Sequence, residues 1–273
     1  MAVDRCIFCQ NIRKMTDEHI WGDWTKAFVP RSSNKHNAAQ VRVMKPGEPD
    51  PALVRIRAGD PLDSTAAVVC GDCNSSWMSG IQNRAKPFLI PLFNGEHCVL
   101  DARVQSIISA WIAMATMTGE HSTKPMKIVG IPQSDRDWLM NNLTAPNTWR
   151  IWIGRRRMVS RDGRWIHAAF PILNAENLPD VMNDDDRLAN SQTTAFTIGE
   201  LFIFAMSTPF PEIAIGWDWR TARRARNRLE QIWSIKYHAI FWPPPTMTDE
   251  DGRFFGTAIV RYFEDRAKKT GYR

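Results

Sequence analysis

Cys6-Ile7-Phe8-Cys9 and Val68-Val69-Cys70-Gly71-Asp72-Cys73-Asn74 decide how this chain folds. Each is a C-x₂-C pair, and the two-residue gap lets both sulfurs of a pair face one ion. Two such pairs together are the usual framework of a tetrahedral four-cysteine zinc site. The chain has five cysteines, so only Cys98 is left over, and it reads as an ordinary buried thiol. Disulfides are the alternative, and they need an oxidising compartment. The N-terminal MAVDRCIFCQ has no apolar core after a basic start. It therefore reads without a signal peptide, and a cytoplasmic setting is expected.

Between the pairs lies Glu18-His19, and Asn74 follows the second pair directly. A carboxylate, an imidazole and a carboxamide near one another suit metal-assisted phosphodiester hydrolysis.

Composition sets the outer bounds. The chain has 273 residues, enough for one large domain or for a small module and a larger body. Hydrophobic residues make up 44%, ordinary for a protein with a real core. No apolar run reaches membrane-spanning length. Lys and Arg number 35 against 29 acidic residues, a net charge of +6 that is compatible with a polyanionic partner. Twelve tryptophans read mainly as core and interface filler.

Hydrophobic spacing gives a coarse layout. Residues 1–12 read as a knuckle in a tight hairpin. The spacing of Ile20, Trp21, Trp24 and Phe28 is close to helical, so 16–28 reads as a helix. Residues 30–65 read as a long loop with a strand or two. The apolar run Ala66–Val69 leads into Cys70, and a helix runs from Asn74 to about Phe93, bent or stopped by Pro87 and Pro91. Residues 101–118 form an amphipathic helix with Val104, Ile107, Ile108, Trp111, Ile112 and Ala115 on one face. A second helix covers 134–143, with Ser134 as N-cap and a carboxylate in its first turn. Strands are expected at 149–153, 165–172 and 193–206, with an acidic turn at 183–186. A helix is expected at 221–235, its Arg220, Arg223, Arg224 and Arg228 facing either phosphates or solvent, and a last one at 256–269.

The N-terminal part resembles the HNH endonuclease family, in its zinc-bearing ββα-metal, treble-clef-like form of bacterial or phage type. In that family a cysteine pair opens the module. An Asp-His or Glu-His step and an apolar residue end the first strand, and a short apolar run leads to Cys-x₂-Cys and an Asn or His. Cys6-x₂-Cys9, Glu18-His19-Ile20 and Val68-Val69-Cys70-x₂-Cys73-Asn74 carry the likeness over about residues 5–90. Cys73-Asn74-Ser75-Ser76-Trp77-Met78 is also similar to a bacterial subgroup with a tryptophan there.

The resemblance implies that residues 1–95 are the ββα-metal module. With the helices and strands read beyond it, the chain is expected to be α+β, with 96–273 a mixed helix and antiparallel-strand domain of unknown role. It implies structural zinc on Cys6, Cys9, Cys70 and Cys73. Glu18 and Asn74 would hold a catalytic Mg²⁺ or Mn²⁺, as suits hard oxygen donors. His19 would be the general base, a task that suits an imidazole near neutral pH. Thr65 stands where the family has an asparagine, five residues before Cys70. Glu18 replaces the more frequent aspartate, and Trp77 replaces the usual lysine. Arg84 and Lys86 are then the candidates for the phosphate contact.

The implied function is a metal-dependent DNA endonuclease. The alternative is a non-catalytic, zinc-stabilised module that binds nucleic acid or protein. RNA ranks below DNA, because no RNA-recognition motif is visible. A protein partner or a second copy of the chain stays open.

Overall fold

The computed structural model describes residues 5–29, 35–45, 48–49, 53–58, 61–122, 129–156, 164–170, 172, 189–210, 228–234, 238–252 and 254–255. Arg220, Arg223 and Arg224, the acidic turn at 183–186 and the expected helix at 256–269 lie outside the described residues.

The chain opens with a tight loop, closed by a bridge between Arg5 and Ile12, that carries the first cysteine pair. Strand β1 (Met15–His19) follows, then a 3-10 helix at Asp23–Ala27. The helix expected at 16–28 is therefore a strand, a turn and one short helix. Gly22, at φ 76°, breaks the chain there, and β1 takes a partner strand instead. Three strands follow, β2 (Lys35–Lys45), β3 (Glu48–Pro49) and β4 (Leu53–Ala58), in place of a mostly irregular loop. Strand β5 (Thr65–Cys70) pairs antiparallel with β1.

The chain enters a helix at Gly71–Cys73 (α1), passes through a π-helical turn at Asn74–Met78, and continues as α2 (Ser79–Asn94). Pro87 and Pro91 both lie inside α2. The helix ends at Gly95, whose φ of 68° is the left-handed geometry of a C-cap.

Strand β6 (Cys98–Leu100) and α3 (Ala102–Gly119) come next. Asp101 caps α3, accepting a hydrogen bond from Val104 N at 2.8 Å. The expected single apolar face is an underestimate: every residue from Ile108 to Gly119 is buried. Such a helix is covered on all sides. Gln105, Ser109 and Thr118 bond to backbone, Gln105 Nε2 by donating to Leu100 O (2.9 Å) and His238 O (2.8 Å). Helix α4 (Gln133–Asn142) begins one residue earlier than expected. Pro132, not Ser134, is its N-cap. Asp135 is drawn inward, accepting from Trp149 Nε1 at 2.8 Å and Thr148 Oγ1 at 3.0 Å.

The remaining strands are β7 (Trp149–Arg155), β8 (Arg164–Phe170), β9 (Ser191–Ile198), β10 (Leu201–Ser207), β11 (Leu229–Trp233) and β12 (Ile240–Trp242). The expected run at 193–206 is thus a hairpin, β9–β10, turning at Gly199-Glu200. Gly199 has φ 57°, and a Cβ there would lie 2.4 Å from Phe93 O. Residues 229–233, expected as part of a helix, form an edge strand on β7. A register irregularity between Gln231 and Trp233 buries Ile232. That bulge imitates helical spacing in the sequence.

The architecture is α+β. Eight strands form one sheet in the order β11-β7-β10-β9-β8-β2-β3, with β4 on β2. Its pairings are antiparallel except β2 with β8. That parallel pairing crosses the expected boundary near residue 95. So does one apolar core that runs from Cys6 and Phe8 through α2 and α3 to Trp242. Most of the described tryptophans fill it, as expected, while Trp138 is exposed.

At the end of α3 the fully buried Glu120 ties three elements together. Its Oε1 accepts from Gly130 N (2.6 Å) and Ile131 N (3.1 Å), and its Oε2 from Arg136 Nη2 (2.6 Å). His167 Nε2 stands 3.5 Å from Oε1. Burial alone would raise the Glu120 pKa. His167 and the charge of Arg136 outweigh it and hold the carboxyl below its ordinary value of 4.5. Burial lowers His121 from 6.5 to about 4.

Both groups bind a proton less readily in the fold than in the unfolded chain, so acid favours unfolding. Their contribution is full above pH 6.5. It declines first as His121 is forced to charge between 6.5 and about 4, then as Glu120 protonates below 4.5. Between pH 7 and 4.5 the buried Glu18 carboxyl, raised to about 7, works against His121, so melting midpoints are expected to fall chiefly below pH 4.5, where Glu120 protonates. Glu120→Ala, which strands Arg136 in the interior, is expected to cost about 3–5 kcal/mol.

Candidate metal centre and adjoining site

The first knuckle sits on β5, with Ile7 N donating to Val68 O at 3.0 Å. Gln133 of α4 also braces it. Gln133 Nε2 donates to Phe8 O at 3.1 Å and its Oε1 accepts from Gln10 at 2.8 Å. The second pair spans the end of β5 and the first turn of the helix. All four sulfurs then lie within 4.8 Å of one another, and none is in a disulfide. Sulfurs bound at about 2.3 Å to a tetrahedral ion stand about 3.8 Å apart. Cys9 Sγ and Cys70 Sγ are 3.7 Å apart.

The surroundings favour ionisation at Cys6, while burial opposes it at Cys9 and Cys73. Cys70 N donates to Cys6 Sγ at 3.5 Å. Burial opposes ionisation of Cys6, but backbone N–H groups of Cys70, Cys9 and Phe8 outweigh it and lower its pKa. The Trp77 indole N–H is buried without a conventional hydrogen-bond partner. It faces the Cys73 sulfur, whose ionisation it favours. Burial and the neighbouring sulfurs still push Cys73 up, a repulsion that a cation relieves. The four cysteines can hold a metal ion such as zinc.

Beside them, β1 and β5 carry the remaining candidates. Ala67 and Val68 together oppose Asp17, since the register slips between Thr16↔Val69 and Glu18↔Ala66. A bulge of this kind re-aims neighbouring side chains. Glu18 points inward and is 6% exposed. Burial pushes its pKa up to about 7, partly offset by hydrogen bonding from Asn74 and Gln82. Asn74 Nδ2 also donates to Thr16 Oγ1 at 3.2 Å. Asn74 occupies the π-helical turn rather than opening the helix, which starts at Gly71.

His19 keeps different company. Its Nε2 is 3.4 Å from Asp23 Oδ1 and 3.4 Å from Lys26 Nζ. Lys26 is in turn 2.6 Å from Asp23 and 2.8 Å from Asp63. Thr65 is directly opposite His19 across the strand pair. The structure therefore groups Glu18 with Asn74 and His19 with Thr65. The ring partners of His19 lie on the 3-10 helix side.

The expected basic contacts are dispersed. Arg84 Nε donates to Gly80 O of its own helix at 3.3 Å. Lys86 Nζ lies 5.6 Å from the ring centres of Trp24 and Phe28. Arg228 pairs with Asp251 at 2.6 Å. Sequence reasoning missed Gln82, Asp23, Lys26 and Asp63, which belong to no motif. The i, i+4 spacing of His19 and Asp23 was their one available signal.

Comparison of the chain with family models, with curated proteins and with solved structures finds no match. No helix among the described residues is long and apolar enough to cross a membrane.

Proposed function

We propose that this chain is a metal-dependent endonuclease that hydrolyses DNA phosphodiester bonds in the HNH manner. The reading rests above all on the pairing of buried Glu18 with Asn74, next to His19 and beside the four-sulfur cluster. Four cysteine ligands leave a zinc ion no open position, so the zinc is structural. Glu18 and Asn74 would hold Mg²⁺ or Mn²⁺ through oxygen. That ion, when bound, supplies positive charge to a phosphate oxygen and to the leaving 3′ oxygen. His19, with 31% of its side chain exposed, takes the proton from the attacking water. Thr65, across from it, offers a hydroxyl to orient the ring. Arg84 is exposed for a phosphate contact. A reducing, cytoplasmic setting suits four free thiols.

One observation favours a second reading, a zinc-stabilised binding module without turnover: the His19 ring has partners separate from those of Glu18. Plasmid cleavage separates the two. The endonuclease nicks or cuts plasmid DNA with Mg²⁺ or Mn²⁺ and not with chelator. Inertness across metals and DNA forms assigns the chain to binding.

A further inference from the structure

We propose that Gln82 is the positioning residue for Glu18, and that Trp24 fixes its amide in the donating orientation. This rests on Glu18 being the carboxylate of the cation site. Gln82 Nε2 donates to Glu18 Oε1 at 3.2 Å, and Trp24 Nε1 donates to Gln82 Oε1 at 3.0 Å. An indole N–H can only donate. The Gln82 oxygen must therefore face Trp24, which leaves its NH₂ for Glu18. An amide free to turn over would instead present its oxygen to the carboxylate and repel it.

The anchor is itself held. The Trp24 ring stacks on Phe93 at 6.0 Å and packs against Trp111. The approach of Trp24 to Gln82 also requires a glycine at position 22. A Cβ on Gly22 would lie 2.2 Å from Gln82 Oε1 and 2.7 Å from Trp24 Nε1, and its φ is 76°. The three residues connect the turn after β1 to α2 and hold one oxygen of a nearly inaccessible carboxylate. Groups that orient metal ligands in this way typically set affinity by ten- to a hundred-fold.

The test is Mn²⁺ titration of the full, zinc-loaded chain, followed by electron paramagnetic resonance. Zinc content and melting temperature are recorded for each variant. Wild type is expected to bind Mn²⁺, and Glu18→Gln to abolish binding. Gln82→Met, close in size but without donors, is expected to weaken it about ten-fold or more. Trp24→Phe keeps the ring and loses the N–H. It is expected to weaken binding in the same direction by less, and it carries the test if Gln82→Met does not fold. Unchanged Mn²⁺ affinity in the folded Gln82 and Trp24 variants, with binding still lost in Glu18→Gln, overturns the role of Gln82 and leaves the cation site standing. Wild type that binds no Mn²⁺, or a Glu18→Gln variant that binds it as well, overturns the cation site and this inference with it.

Discussion

Cys70→Ser is expected to lower stability by more than about 4 kcal/mol and to abolish stoichiometric zinc binding. The size of the effect follows from what the sulfurs join. Cys6 and Cys9 come from a short loop with a single bridge, Arg5 to Ile12. Cys70 and Cys73 come from the end of β5 and the start of a helix. An ion at their centre would close a long stretch of chain and compensate crowded thiolates. The damage should spread further, because Gln133 fastens the first knuckle to α4 and Phe8 packs edge-on against Trp77 at 4.8 Å. Native mass spectrometry and thermal melts measure both effects. A variant that melts with wild type would show the cluster to be packing alone.

His19→Ala is expected to reduce plasmid cleavage about a hundred- to ten-thousand-fold, the usual share of a general base. Stability should barely change. The ring is partly exposed, and its partner Asp23 has 68% of its side chain in solvent, so water screens their pairing. The combination is diagnostic: a core histidine would lose stability, and a surface one would lose nothing. Cleavage by the variant at the wild-type rate removes His19 from the mechanism.

The cysteine cluster was legible in the sequence because a metal imposes spacing on its ligands, and C-x₂-C has few other uses in a reducing setting. The grouping of Glu18 with Asn74 was an implication of the family resemblance, since Asn74 directly follows the second cysteine pair but Glu18 lies between the pairs. Gln82 was not legible. A glutamine on a helix carries no spacing signal, and its partner Trp24 is far from it in the chain. Helical spacing misled at 16–28, where Ile20 and Trp21 enter the core from a turn and Trp24 packs against it from a 3-10 helix. It misled again at Leu229–Trp233, where a bulge buries Ile232. The parallel pairing of β2 with β8 joins segments far apart in the sequence and leaves no local trace. Glu120 ends an apolar helix, a place where a carboxylate ordinarily meets water. Its buried role depends on Arg136 and His167 arriving from other elements.

Crystals of the chain soaked in Mn²⁺, with anomalous diffraction collected near the zinc and manganese absorption edges, are expected to show zinc at the centre of the Cys6, Cys9, Cys70 and Cys73 sulfurs. Manganese is expected against Glu18 and Asn74, with the His19 ring facing the same opening. A manganese map with no density at Glu18 and Asn74, or a His19 ring still turned to Asp23 with no space left for a phosphate, would rule out the endonuclease site.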